Sequence, residues 1–102
     1  MQLRDIAHSR AGDKGNTSNL SLIAFDAADY ALLEAWVTAE RVKAHFAGIV
    51  DGEVVRYTLP QLGAMNFVMR QALGGGVTRS LALDAHGKCL SSVLLEMDIP
   101  GR

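Results

Sequence analysis

Residues 19–49, NLSLIAFDAADYALLEAWVTAERVKAHFAGI, decide the fold class because they join a strand pattern to two helical patterns. Residues 19–25 are an apolar run of strand length, typical of a central strand. Asp26 can accept hydrogen bonds from free backbone N–H groups, which predicts a helix from about Asp29. The apolar stripe then changes register at Thr38, so we expect a second helix with Thr38 as its N-cap.

The flanking segments extend this unit to the order ββαβαββ within a single domain, residues 1–102. The further predicted elements are strands at residues 3–8, 53–59, 81–83 and 89–99, a helix at residues 63–73, a long loop at residues 9–18, and a hairpin connection at residues 84–88. Strand–helix–strand units usually give parallel neighbours, and the last hairpin adds an antiparallel strand. The sequence therefore predicts an α/β (α+β) two-layer sandwich, with a mixed sheet and helices on one face.

Composition and charge exclude several classes of protein. Hydrophobic residues make up 49% of the 102 residues and charged residues 21%, a globular balance that argues against disorder. A formal net charge of −1 provides no broad positive field for nucleic acid. No stretch approaches the roughly 20 apolar residues of a membrane helix. The single cysteine, Cys89, is compatible with a reducing cytoplasm and allows no intrachain disulfide. We expect a cytoplasmic protein that binds neither nucleic acid nor membrane.

The predicted loop carries the densest set of reactive side chains. Its candidate ligand-binding residues are Arg10, Gly12, Asp13, Lys14, Gly15 and Asn16. An arginine fork can bind a carboxylate or phosphate, a lysine adds a point charge, and glycines let backbone N–H groups turn towards an anion. The alternative interpretation is a plain turn in which Asp13 caps its own backbone. As catalytic candidates we name Asp13, His8 and Lys14, with His8 and Asp13 as a base and its orienting group.

Three further cations or amides could address the same groove. Asn66 and Arg70 lie four positions apart on the predicted helix, and therefore on one stripe, which could equally be an ordinary solvent-facing stripe. Arg79 follows the glycine run 74–76, which is better explained as a helix end than as a phosphate loop. The three histidines lack the spacing of metal ligands, so no metal or cofactor is expected.

The segments AHSRAGDKGN (7–16), LGAMNF (62–67) and LGGGVTRS (73–80) resemble the AtuA-like (acyclic terpene utilisation) ferredoxin-fold domain, here as a stand-alone chain. The resemblance implies a ferredoxin-like α/β sandwich and an association with bacterial catabolism of terpenoid or branched acids and their acyl-CoA derivatives. It carries no assigned catalytic residues.

Three functions remain open at this point. The first is an accessory domain that binds a small anionic or acyl-CoA ligand near residues 9–16. The second is a small oligomeric enzyme acting on an acyl substrate. The third is a structural subunit that forms a homo-oligomer or joins a large AtuA-like domain on a separate chain. The apolar segment 63–73 and the small core favour association with another chain.

Overall fold

A computed structural model describes residues 1–14, 17–47, 52–70 and 90–101, with Asp13 and Lys14 described by their backbone alone. Four strands form one sheet in the order β1–β2–β4–β3, and helices pack on one side of it. The strands are β1 Ala7–Lys14, β2 Thr17–Ala24, β3 Val54–Leu59 and β4 Ala64–Arg70. The helices are α1 Tyr30–Trp36, α2 Ala39–His45 and α3 Leu90–Leu95. The predicted α+β two-layer sandwich is confirmed.

The sheet differs from the predicted one in how its strands pair. All three pairs of described strands are antiparallel. β2 and β3, which flank the two helices, do run in the same direction, but β4 lies between them and pairs with both. This arrangement is a split β-α-β unit. The parallel neighbours predicted from the strand–helix–strand order therefore do not form between these strands.

Alternation along the two central strands builds the core. Leu20 and Leu22 of β2 are fully buried, and so are Met65, Phe67 and Met69 of β4. Side chains alternate between the two faces of a strand, so these residues all lie on the face that the helices cover. Leu33, Val42 and Leu94 bring the apolar sides of the three helices into the same cluster.

Both local signals at the helices are confirmed. The Asp26 side chain accepts a hydrogen bond from the backbone N–H of Ala28 at 2.9 Å, just before α1. The Thr38 hydroxyl accepts one from the backbone N–H of Arg41 at 3.2 Å, so Thr38 is the N-cap of α2. Each cap satisfies a donor that the first helical turn would otherwise leave without a partner.

Four of the predicted elements are wrong in whole or in part. Residues 63–73 were expected to be helical, but Ala64–Arg70 is the central strand β4. Residues 89–99 were expected to be a strand, but Leu90–Leu95 is helix α3. The expected loop 9–18 is largely a strand pair, with Lys14 opposite Thr17. The expected first strand begins instead with a 3-10 turn at Leu3–Asp5. The predicted strand at 81–83 and hairpin at 84–88 lie outside the described residues.

The two ends of the described chain are joined. The backbone N–H of Leu3 donates to the carbonyl of Met97 at 2.9 Å, and that of Ile99 donates to the carbonyl of Met1 at 2.8 Å. Gln2 and Asp98 form an antiparallel bridge. The segment after α3 is therefore held beside the start of the chain.

Candidate functional site

The sheet has one face against the helices and one face away from them, which we call the open face. Its residues alternate with the buried core positions of each strand. The described residues on this face are His8, Arg10, Gly12, Thr17, Asn19, Ser21, Ile23, Val55, Tyr57, Leu59, Ala64, Asn66, Val68 and Arg70. Four of the predicted ligand-binding residues, Arg10, Gly12, Asn66 and Arg70, are thus brought to a single surface.

A polar row crosses all four strands in the middle of the open face. Arg10 lies opposite Ser21, Ser21 opposite Asn66, and Asn66 opposite Tyr57. The Ser21 hydroxyl fixes the start of the row, because it accepts a hydrogen bond from the backbone N–H of Arg10 at 3.2 Å. Arg10 is exposed and Asn66 is half-buried. The row offers a guanidinium, a hydroxyl, an amide and a phenol to a ligand lying across the sheet.

Arg70 lies opposite Thr17, at the end of the open face where β1 ends and β2 begins, which we call the hairpin end. Arg10 and Arg70 are two strands and four residues apart, so their Cα atoms are about 16 Å apart at the usual sheet spacings. Side chains of a strand usually stand roughly perpendicular to the sheet, which places the two guanidinium groups at separate positions. The two arginines therefore suit a ligand that carries anionic groups at separated positions.

The open face is positively charged within a nearly neutral chain. The side chains described on it include two arginines and a histidine, and none of them is Asp or Glu. Gly12 adds no side chain, and a Cβ built there meets no atom within 4 Å. A ligand can consequently approach the backbone at Gly12 without a steric obstacle, and its negative charge meets no carboxylate among these residues.

Apolar side chains collect at the opposite end of the open face and in the turn Pro60–Leu62 beside it; we call this the apolar end and define it as His8, Ile23, Phe25, Leu59 and Leu62. Phe25 is 66% exposed, Leu62 71% and Leu59 44%. The Phe25 ring stacks on the imidazole of His8 with 5.4 Å between the ring centroids. The open face therefore has a cationic hairpin end, a polar middle and an apolar end.

The predicted base and orienting pair does not form. His8 and Asp13 lie in the same extended strand, five residues apart, which separates their Cα atoms by about 16 Å. The imidazole of His8 contacts Phe25 instead. His8 is thus packed against an aromatic ring at the apolar end, away from the residues that were expected to assist it. The roles predicted for the side chains of Asp13 and Lys14 stay predictions.

Three of the predicted binding residues, Gly15, Asn16 and Arg79, lie outside the described residues, as does the glycine run 74–76. For the rest of the chain, the described histidines and acidic residues include no group of three that could hold a metal ion. None of the described helices is long and apolar enough to cross a membrane.

Sequence reasoning missed Arg56, a third arginine in the sheet. Its guanidinium Nη1 lies on the helix side, where it donates to the carbonyl oxygens of Glu34 at 2.7 Å and Val37 at 3.0 Å. These are carbonyls at the C-terminal end of α1, which have no partners inside the helix and which carry the negative end of its dipole. Arg56 is therefore a structural residue that ties α1 to β3. The sequence did contain a signal for this role. Arg56 comes one residue before exposed Tyr57 in an alternating strand, so its side chain lies on the opposite face.

A histidine has a comparable structural role between the helices. The Nε2 of His45 lies 2.6 Å from the carbonyl oxygen of Val93, so the imidazole donates a proton there and links α2 to α3. The ring also meets Phe46 edge to face at 5.5 Å. These contacts explain a histidine at this position without a catalytic role.

Among the described residues, Tyr30 has a shifted pKa. Burial raises the pKa of its hydroxyl above the usual 10.0, and the neighbouring Glu34 carboxylate raises it further. The hydroxyl oxygen is buried and has no well-aligned hydrogen-bond partner among the described residues. Because Tyr30 lies at the start of α1 and faces the core, this shift bears on stability and not on the open face.

Three pockets lined by described residues lie elsewhere on the molecule. One of about 390 Å³ is bordered by Arg41, His45 and Asp98, and another of about 230 Å³ lies between Arg4 and Glu96. A third, of about 300 Å³, lies between Lys43 and Glu53. All three are open depressions along the edges of the helix layer.

A comparison with protein families agrees with this four-stranded antiparallel sheet covered on one side by helices. The family model described as the AtuA ferredoxin-like domain matches residues 1–100. The chain belongs to this family. A search among curated proteins and another among solved structures found no match. The AtuA ferredoxin-like assignment thus agrees with the resemblance noted in the sequence, and the match extends through both sheet and helices.

Proposed function

We propose that this AtuA ferredoxin-like domain is an accessory binding domain whose open face receives the anionic groups of a small acyl ligand. The observation that carries the proposal is that Arg10, Gly12, Asn66 and Arg70 share one face on which no carboxylate is described. Charge-assisted hydrogen bonds from arginine to carboxylate or phosphate are among the strongest polar contacts in proteins. The site lies on and beside residues 9–16.

The separation of the two arginines favours one ligand class over another. A free branched acid has a single carboxylate, which supplies an anionic group at one position only. An acyl-CoA carries phosphates at more than one position along an extended molecule. We therefore propose an acyl-CoA of a branched or terpenoid acid as the ligand, in keeping with the bacterial catabolism that the family resemblance implies.

The two other functions have less support from this geometry. An enzyme needs its reacting groups together and shielded from water, whereas His8 and Asp13 are far apart and the open face is exposed. A site shared with a large AtuA-like domain on a separate chain would supply the missing walls. Such a subunit role is compatible with ligand binding at the open face.

Isothermal titration calorimetry with isovaleryl-CoA, coenzyme A and free isovalerate tests the proposal. We expect binding of both CoA compounds, weaker binding of the free acid, and a loss of affinity of about tenfold or more in Arg10→Met and in Arg70→Met, because each removes charge-assisted hydrogen bonds worth about 1.5–3 kcal/mol.

Arg41→Met is the matched control, since Arg41 stacks on the Trp36 ring at 4.2 Å in the helix layer and does not lie on the open face. Its affinity should equal that of the unmodified protein. Equal binding by all four proteins, or no binding of any CoA compound, contradicts the proposal.

A further inference from the structure

The apolar end lies directly beside the polar row of the open face. The next row of the sheet, two residues along each strand from the polar row, is His8, Ile23, Ala64 and Leu59. Ala64 is only 7% exposed, so the larger side chains around it close over it and the row presents a continuous, largely apolar surface. Beyond this row, Phe25 and Leu62 are 66% and 71% exposed. A ligand held at the polar row therefore has an apolar surface within reach.

We infer that the apolar end binds the acyl group of a CoA thioester, which rests on the proposed function because that function places a CoA phosphate at Arg10. Arg10 and Tyr57 lie in the same row on β1 and β3, the first and last strands of the described sheet, about 14 Å apart. The arm that joins the phosphates of CoA to its thioester carries amide groups, and Ser21 and Asn66 offer a hydroxyl and an amide along this path. The arm then ends near Tyr57, and Leu59 lies about 7 Å farther along the same strand.

The size and charge of the apolar end suit a hydrocarbon chain better than a protein. The rows of Leu59 and Phe25 cover roughly 19 by 13 Å of the four-stranded sheet, which is about 250 Å². A standard protein interface takes about 800 Å² from each partner. The charges of the open face also give the ligand a direction. Its phosphates are attracted to Arg10 and Arg70, so the uncharged acyl group is the part that remains for the apolar end.

The affinity should therefore increase with the length of the acyl chain. Full burial of one methylene raises an affinity about fourfold, and a chain on an open face keeps one side in water, so we expect about twofold per methylene. Isothermal titration calorimetry with coenzyme A, acetyl-CoA, butyryl-CoA and octanoyl-CoA measures this dependence. Octanoyl-CoA should bind about 60-fold more tightly than acetyl-CoA. This ratio should persist at high salt, which weakens the arginine contacts of all four compounds alike.

Variants locate the acyl group on the sheet. The double variant Leu59→Ser with Leu62→Ser removes two exposed apolar side chains from the apolar end, and the ratio between octanoyl-CoA and acetyl-CoA should fall below about tenfold. Trp36→Ser removes an exposed apolar side chain from the helix layer and is the matched control, so its ratio should stay at about 60-fold. Arg10→Met should weaken both compounds by the same factor. Circular dichroism confirms that each variant is folded, and Leu62→Ser alone replaces a double variant that is not.

The possible results separate this inference from the proposed function. If neither coenzyme A nor any acyl-CoA binds, both are wrong. Binding that depends on Arg10 and Arg70 but is equally tight for acetyl-CoA and octanoyl-CoA leaves the proposed function intact and overturns the inference. A ratio that survives the serine substitutions at Leu59 and Leu62, or that Trp36→Ser reduces as much, overturns it as well.

Discussion

Replacing Arg56 by methionine should destabilise the fold by about 2 kcal/mol. Arg56 donates from one charged nitrogen to two carbonyls at the end of α1, at 2.7 and 3.0 Å. Hydrogen bonds to a charged group contribute about 1.5–3 kcal/mol, counted once here because a single nitrogen serves both carbonyls, and the helix dipole adds a few tenths. One of the two bonds lies near solvent and methionine keeps the apolar stem, so the lower part of this range applies. A methionine at position 56 cannot donate a hydrogen bond to either carbonyl.

Thermal unfolding followed by circular dichroism measures the effect. For a domain of this length, 2 kcal/mol corresponds to a fall in Tm of roughly 8–15 °C. Arg10→Met and Arg70→Met remove the same charge from the open face and should change the unfolding free energy by less than about 0.5 kcal/mol. If Arg56→Met is no more destabilised than these two variants, the proposed link between α1 and β3 is wrong.

Three other changes give measurable results. Thr38→Ala should cost about 1 kcal/mol in urea unfolding, because the first turn of α2 loses the cap on the backbone N–H of Arg41, whereas Thr38→Ser should retain it. His45→Phe should cost about 0.5–1.5 kcal/mol, because the carbonyl of Val93 loses the imidazole donor and keeps the backbone N–H of Glu96 at 3.2 Å, while the ring contact remains. Tyr30 should leave the free energy of unfolding unchanged below pH 10. Above pH 10 that free energy should fall by up to about 1.4 kcal/mol per pH unit. The cause is the raised pKa of Tyr30 in the folded state, because of which the unfolded chain releases the Tyr30 proton at a lower pH. In Tyr30→Phe that part of the alkaline loss should disappear, and an unchanged alkaline slope would exclude Tyr30 as its cause.

Local signals predicted the elements that depend on neighbouring residues alone. The junction at Thr38 and the cap at Asp26 are both formed as expected, because a capping side chain bonds to a backbone group two or three residues away. No information about the rest of the fold is needed for such contacts. The strand at Val54–Leu59 was equally clear from its alternation and from Pro60, which follows it directly.

β4 could not be identified from periodicity. Ala64–Arg70 is a central strand with neighbours on both sides, so its open-face residues Asn66 and Val68 are half-buried and the apolar pattern is nearly continuous. A continuous apolar run fits a buried helix as well as a buried strand. The local indication lay before it: Gly63 has a φ of 61°, and together with Pro60 it turns the chain from β3 into β4.

α3 was missed for the opposite reason, because its period is visible in the sequence. Leu90, Leu94 and Met97 are buried at spacings of four and three, which is a helical stripe. The expectation of a final strand rested on apolar content without that count. Within residues 90–101, the strand-like pairing that the structure describes is the bridge between Gln2 and Asp98.

Asn66 and Arg70 share a face in spite of the error in secondary structure, because two periods coincide. Residues four apart share a face in a strand, where side chains repeat every two positions, and nearly share one in a helix. Asn66 and Arg70 were grouped for the helical reason and are grouped by the strand. The extended backbone nevertheless changes their separation from about 6 Å to about 13 Å.

The same error in distance explains why His8 and Asp13 are far apart: only a compact loop could bring them together. In a strand, residues predicted to share a face still share it, but they lie farther apart. This domain therefore has two separated cationic positions where the sequence suggested one pocket. For that reason the experiment that best separates a folded-loop site from the sheet surface compares ligands that carry one anionic group with ligands that carry several.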